Sequence, residues 1–397
     1  MKLALLLSSV VFSVGAFLTL DWFHSASVLR RSTATGTCHA PVPVRHHGFA
    51  PYCTSVEHWG WDSYELVTNS LGFRDEKIRA VPLADTRPRI LMLGDSFTEG
   101  EIAWRDSFVG QIADHFPQYD FLNGGVGSYS PSNYLNTARM VLGQGVKIDE
   151  VIVFIDISDV QDEAANYSDI DASGAVTVVE QQLYLYPWYW KVIRIGRHFL
   201  LTSYLFEFFE RRLVGLGIYH VTTPVTQPVN LFDWERSAWT YRKVNETDPF
   251  PAGYAPLGVE GGITKEKTKM SLLWQKLAKR NIPISVVVYP YPAQLLHDTV
   301  DSEQVRIWRE WCEGKCKRFI SVFPDFFAAK AQCPRIQPGC WYLKLFVFGD
   351  FHYNAAGNAL VADAVIQSLA DEPPTKHPLP LPALSATPQR EPERSKK

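Results

Sequence analysis

The sequence predicts an α/β protein: a three-layer α/β/α sandwich around a mostly parallel, flavodoxin-like sheet, with a cap region inserted between the third and fourth strands. Three observations carry this. Ile90-Leu91-Met92-Leu93 runs without polar alternation and stops at Gly94, the pattern of a strand buried on both faces. Val151–Ile155 and the stretch from Pro283 to Tyr289 repeat that pattern. Segments of helical spacing separate the runs, as in successive βαβ units.

At the N-terminus Met1-Lys2 precedes an uncharged stretch from Leu3 to Leu20, closed by Asp21. This is long for the core of a signal peptide and close to the minimum for a membrane-spanning helix. No small-x-small site directly follows it, so residues 1–23 are expected to remain as an anchor, with the rest of the chain outside the cytoplasm. Secretion after cleavage is the alternative. Six cysteines fall in close pairs, Cys38 with Cys53, Cys312 with Cys316 and Cys333 with Cys340. In an oxidising compartment these are expected to form local disulfides, although sequence alone leaves the connectivity open. Their spacing suits zinc poorly. The net charge of −3 shows no basic excess, which speaks against a nucleic-acid partner. Twelve Trp among 13% aromatic residues suit a sugar-facing cleft, a membrane-facing surface or simply an aromatic core.

Residues 24–64, with Pro41, Pro43, Gly48 and Pro51, read as an extended connector in which His46 and His47 lie at the surface. Asn69, Gly72 and Arg74 suggest a tight turn whose guanidinium pins a carboxylate. After the first strand, Gly94-Asp95-Ser96 turns the chain, and residues from Trp104 to Phe116 have helical spacing. Tyr119–Leu122 reads as a second strand, leading into Asn123-Gly124-Gly125-Val126-Gly127-Ser128, where glycines let backbone amides approach a ligand. A helix opened by Pro131 and closed near Gly145 precedes the third strand.

Asp156, Asp159, Asp162 and Glu163 follow that strand and are expected to face solvent at the rim of a cleft, since they lack the spacing of an EF-hand calcium loop. Residues 164–262 lose the sheet-and-helix alternation and are too long for a bare loop, so they read as a cap or lid, with an amphipathic helix over 198–216. Its aromatic clusters, such as Tyr184 to Trp190, suit either substrate recognition or packing. A helix over 263–280 follows, then the fourth strand, a rigid Pro290-Tyr291-Pro292 loop with Gln294 bordering the cleft, and a fifth strand over 319–323. The last helix, Ala355 to Leu369, precedes a proline-rich, disordered tail over 371–397.

A serine at the carboxyl end of a central strand sits where α/β sheets hold their ligands. As a nucleophile Ser96 needs a base and a group to orient it. The downstream run Phe348-Gly349-Asp350-Phe351-His352-Tyr353-Asn354 offers both. Together GDSFTEG, from Gly94, and GDFHYNAAGN, from Gly349, resemble the first and last blocks of the SGNH (GDSL-type) hydrolases, over roughly residues 65–160 and 280–370. The resemblance implies the parts of an acyl-transfer site: Ser96 as nucleophile, His352 as general base, Asp350 as its orienter.

It also implies an oxyanion hole from the amides of Ser96 and Ser128. The family's third block, Gly-x-Asn-Asp, is here Asp156-Ile157-Ser158-Asp159, which leaves Ser158 where the asparagine donor would be. Neither cofactor nor metal is expected. The implied substrate is an acylated carbohydrate or lipid ester, cleaved by a membrane-tethered esterase with its hydrolase domain in residues 65–163 and 263–370. A polysaccharide O-acyltransferase using the same three residues and an inactive glycan-binding protein are the alternatives.

Overall fold

In a computed structural model of the chain, residues 2–32, 36–59, 62–169, 176–178, 203–219, 236–244 and 253–374 are described. Their strands, in chain order, are β1 (His39–Val42), β2 (His46–Phe49), β3 (Thr54–Trp59), β4 (Asp62–Val67), β5 (Arg89–Leu93), β6 (Asp120–Asn123), β7 (Glu150–Ile155), β8 (Tyr167–Asp169), β9 (Val176–Val178), β10 (Ile284–Val288) and β11 (Cys316–Ser321). The helices are α1 (Lys2–Ser32), α2 (Ser96–Glu99), α3 (Phe108–His115), α4 (Pro131–Gly143), α5 (Asp159–Gln161), α6 (Tyr204–Gly215), α7 (Gly258–Ala278), α8 (Pro292–His297), α9 (Glu303–Cys312), α10 (Phe323–Ala331), α11 (Cys340–Leu345) and α12 (Ala355–Asp371).

The central sheet has 5 parallel strands in the order β11-β10-β7-β5-β6, which is the flavodoxin-like arrangement. Side chains alternate across it. Leu91, Leu93, Val151, Val153 and Val286 pack against Leu135 of α4 and Met270, Leu273 and Leu277 of α7. Ile90, Met92, Ile152, Phe154 and Val287 pack the opposite way, against Ile112 of α3 and Val361 and Val365 of α12. These are the three layers that uninterrupted apolar strands require. The edge strand β11 is only partly buried, and its Lys317 and Arg318 reach back to Glu150 at the start of β7. Those charges mask its strand pattern, which explains why the fifth strand lies at Cys316–Ser321 and not at 319–323.

The region read as an extended connector is folded. Helix α1 continues to Ser32, β1 pairs with β2 and β3 with β4, and the Cys38–Cys53 disulfide links the two hairpins. The other bridges are Cys312–Cys316 and Cys333–Cys340. Docking explains the folding: Asn133 of α4 donates to Arg45 O at 2.9 Å, and Tyr129 donates to His47 O. His46 is exposed, but His47 is half-buried, and its Nε2 meets Gly127 O at 2.7 Å.

Helix α1 holds a segment, Lys2–Ser27, long and apolar enough to cross a membrane. Its Asp21 is 7% exposed and caps α6, accepting from Ser203 Oγ at 2.5 Å and Tyr204 N at 2.7 Å. Within the 164–262 stretch, α6 matches part of the expected helix, but Leu205, Phe208 and Phe209 are exposed. Trp239 donates to Ile157 O at 3.3 Å, so this piece lies on the carboxyl end of β7. The Tyr184–Trp190 cluster and residues 375–397 of the expected tail lie outside the described residues.

Candidate active site

Strand β5 ends at Leu93, and Asp95 caps the short helix α2 by accepting from Phe97 N at 3.0 Å. Ser96 opens that helix, where a backbone N–H has no intrahelical acceptor. It is only partly buried, between the buried side chains of Asp95 and Phe97. The second half of the site comes from the turn between α11 and α12. There the Tyr342 hydroxyl accepts from the N–H groups of Gly349 (2.9 Å) and Asp350 (3.1 Å), and Tyr353 ties the far end to Pro290 O at 2.6 Å.

The turn curls so that Asp350 Oδ1 lies 2.9 Å from His352 N and 2.6 Å from His352 Nδ1. His352 Nε2 then meets Ser96 Oγ at 2.8 Å. Residues 256 positions apart in the chain are thus joined in one relay, Asp350 to His352 to Ser96. The ring is held between Phe97 and Phe351, with centroids at 4.6 and 4.5 Å.

Around this relay lie the expected glycine turn with Ser128 and two glutamates that motif reading did not single out, Glu99 and Glu101. Glu99 Oε2 accepts from Gly127 N at 2.7 Å, and a Cβ built on Gly127 would stand 3.8 Å from Ser96 Cβ. Gly127 therefore faces Ser96, with both its amide and its carbonyl already partnered. Ser128 is exposed, in a left-handed conformation (φ 61°), with its carbonyl accepting from Tyr167 at 2.5 Å. Glu101 Oε2 stands 3.4 Å from His352 Nε2. Burial pushes the Glu101 carboxyl up to about 8, against the pull of His352. For His352, burial opposes the charged form, but the carboxylates of Glu101 and then Asp350 outweigh it and raise the ring to about 9. The Gly94–Gly100 block contains Glu99 and is followed at once by Glu101, but nothing in their residue type assigns them a partner.

The third block behaves differently from the expected solvated rim. Asp156, Asp159, Asp162 and Glu163 are at most 1% exposed. Donors surround them. Tyr291 Oη and Ser158 N donate to Asp156 at 2.9 and 2.6 Å, Tyr134 Oη donates to Asp159 at 2.9 Å, and Arg236 pairs with Asp162 at 2.8 Å. Glu163 sits at the N-terminus of α4, taking Ser130 Oγ at 2.6 Å, Ser132 N at 2.7 Å and Lys265 Nζ at 3.0 Å. A helix N-terminus favours such a carboxylate. Burial, and next the charge of Asp156, lifts Asp159 well above the usual carboxylate range. The Ser158 side chain lies beside Asp156 and Tyr291, each of which it draws down against the effect of burial. Among the described residues no group of His, Cys, Asp and Glu is arranged to hold a metal ion. Arg74 pins no carboxylate either; it donates to the carbonyls of Glu99 (2.7 Å) and Ile102.

No protein-family model and no curated protein matches the chain. It is similar in structure to a psychrotrophic esterase from Pseudoalteromonas sp. (10% identity, TM-score 0.35, covering 71% of this chain and 97% of that one). An acetylxylan esterase from Geobacillus stearothermophilus (12%, TM-score 0.37, covering 72% and 96%) and a GDSL-like lipase from Bacteroides thetaiotaomicron (10%, TM-score 0.34, covering 74% and 92%) are comparable. Likeness at this level says nothing about chemistry; the local geometry does.

Proposed function

We propose that the chain is a serine ester hydrolase of SGNH type that works through an acyl-serine intermediate. The carrying observation is the Asp350–His352–Ser96 relay at 2.6 and 2.8 Å. In the attack Ser96 Oγ bonds to the ester carbonyl carbon and its proton passes to His352 Nε2. Asp350 holds the Nδ1–H tautomer and balances the imidazolium that forms. The same proton then goes to the departing alcohol, and water repeats the sequence to release the acid. The oxyanion meets the amides of Ser96 and Ser128. Ser158, whose amide already donates to Asp156 Oδ1 at 2.6 Å, contributes little as a third donor.

The substrate class we propose is an O-acylated carbohydrate or a lipid ester outside the cytoplasm. The disulfides support an oxidising compartment, and α1 supports a membrane tether. Capping of α6 by Asp21 supports retention of α1, because cleavage after it would remove the acceptor of Tyr204 N. Transfer of the acyl group to a sugar hydroxyl uses the same first half-reaction, so the acceptor decides between esterase and O-acyltransferase. The test is turnover of p-nitrophenyl acetate by the full chain in detergent micelles, with acetylated xylan supplied next and an oligosaccharide as competing acceptor. Ser96-dependent release of acetate supports hydrolysis; Ser96-dependent acetylation of the oligosaccharide in its place replaces it with transfer. Absence of both in folded protein rejects the enzymatic reading.

A further inference from the structure

The relay leaves without a role a carboxyl group that faces the His352 ring, that of Glu101. His352 faces carboxyl groups on both ring nitrogens: Asp350 at Nδ1, 2.6 Å away, and Glu101 at Nε2, 3.4 Å away, on the nitrogen that also meets Ser96 Oγ. Oε2 of Glu101 is enclosed and makes no hydrogen bond of its own. Its side chain is 13% exposed.

The backbone holds Glu101 in this position whatever its side chain does. Gly100, in the left-handed region at φ 77°, donates to Ser96 O at 2.8 Å and turns the chain back over α2. Arg74, 1% exposed, donates to the carbonyls on either side, those of Glu99 and Ile102. A Cβ on Gly100 would meet Ser107 Cβ at 2.7 Å and Arg74 at 3.2 Å, so the turn leaves no room for another path.

A carboxylate enclosed without a partner is costly, and one beside a cation is not. Beside a neutral His352 ring an ionised Glu101 would be in the first situation, so the group keeps its proton there; beside a charged ring it can ionise and is in the second. The charged ring is also clamped at both nitrogens, and its Nε2 then carries a proton and cannot accept one from Ser96. We propose that Glu101 is a positioning residue that clamps His352 Nε2 in the resting enzyme, holding the ring as imidazolium and withholding the base from Ser96 until that ring proton is lost. This deepens the acyl-serine reading and rests on it. No redox step is involved: the ring loses one proton from Nε2 to solvent, and Nε2 then takes the proton of Ser96 as Oγ bonds to the carbonyl carbon.

The groups that face His352 are Asp350 from its own turn, Asp95 from the cap of α2 and Glu101; those that face Glu101 are His352, Glu99, Asp350 and Arg74. Asp95 and Glu99 are both displaced toward the neutral form, chiefly by burial. Glu101 shares that displacement, but it is the carboxyl in contact with Nε2, at 3.4 Å, and the strongest of the charges that raise the ring, so its removal changes the ring most. The raised His352, at about 9, agrees with the clamp.

The test is a ring titration of full-length protein in detergent micelles, carrying 13C-labelled histidine, with the His352 signal assigned by its loss in His352→Gln. In Glu101→Gln the His352 midpoint is expected to fall by about one pH unit or more, a tenfold or larger change in the proton equilibrium. The pH dependence of Ser96 labelling by a fluorophosphonate should move to acid by the same amount. An unchanged His352 midpoint overturns the proposal, and so does a rate that falls equally at every pH. Glu101→Asp against Glu101→Asn makes the same comparison with a shorter side chain if the Gln variant does not fold. A shifted midpoint with no Ser96 labelling at any pH upholds the clamp and rejects the acyl-serine reading.

Discussion

Two neighbouring strands of the central sheet, β5 and β7, both end in acidic turns, and the turns are built in opposite ways. After β7 every carboxyl group from Asp156 to Glu163 is sealed in and holds at least one tyrosine, serine, lysine or arginine donor, although Oδ2 of Asp156 makes no hydrogen bond. After β5 Ser96 stays partly open, and Glu101 has an enclosed oxygen that faces the His352 ring at 3.4 Å. Acidic groups each fixed by a donor from another segment make a rigid wall. A carboxylate facing an imidazole across 3.4 Å makes an adjustable proton site. Adjacent strand ends thus separate the scaffold of the cleft from its chemistry, and substitutions at the two ends should fail in different ways.

The largest effect is expected at β5. Ser96→Ala should lower ester turnover on the order of 10^6-fold, as loss of a triad nucleophile does, with the melting temperature nearly unchanged. Turnover and thermal unfolding of the same preparation check both halves. Asp350→Asn should lower kcat by about 10^4-fold, because an amide favours the wrong tautomer of His352; steady-state kinetics with a soluble ester reads this directly.

At β7 the loss is expected in stability. Glu163→Ala strips Lys265, Ser130, Ser132 and the first turn of α4 of a common acceptor, and about 3–5 kcal/mol of unfolding free energy should go with it. Denaturant melts measure this, and folded Glu163→Ala should retain kcat. Tyr134→Phe, which removes one hydroxyl from Asp159, should cost about 1–3 kcal/mol and leave the pH profile where it was. A pH profile that moved in either β7 variant would dissolve the distinction between the two ends.

The linkage at His352 has a definite sign. A ring raised to about 9 in the folded protein stabilises the fold below its unfolded value of 6.5, and that contribution is lost as the pH rises through about 9. Stability and activity should therefore run in opposite directions over that interval.

Much of this fold is readable from apolar runs alone. Ile90–Leu93, Val151–Ile155 and Ile284–Val288 are buried on both faces, which strips their sequences of alternation, and their order produces the sheet. The edge strand β11 is blurred by Lys317 and Arg318, whose partner Glu150 is remote in sequence. For the same reason proline-rich residues 39–59 look like a connector: what folds them is a disulfide and docking onto α4, and neither leaves a local period. At the site, turn chemistry marks Ser96, Asp350 and His352, and the three side chains meet. The carboxylates after β7 look solvated because their donors, Tyr134, Tyr291, Arg236 and Lys265, come from four other segments. Glu101 is invisible for a related reason, since a lone glutamate beyond a turn acquires meaning only when the last turn of the chain brings His352 to it.

The central claim is that Ser96 is a nucleophile activated by His352. Reaction of the full chain in detergent micelles with a fluorophosphonate, followed by peptide mass spectrometry, tests it most directly. The account predicts a single stoichiometric adduct on Ser96, absent in Ser96→Ala and strongly slowed in His352→Ala. An adduct on another residue, or none on Ser96 in protein shown to be folded, would contradict it.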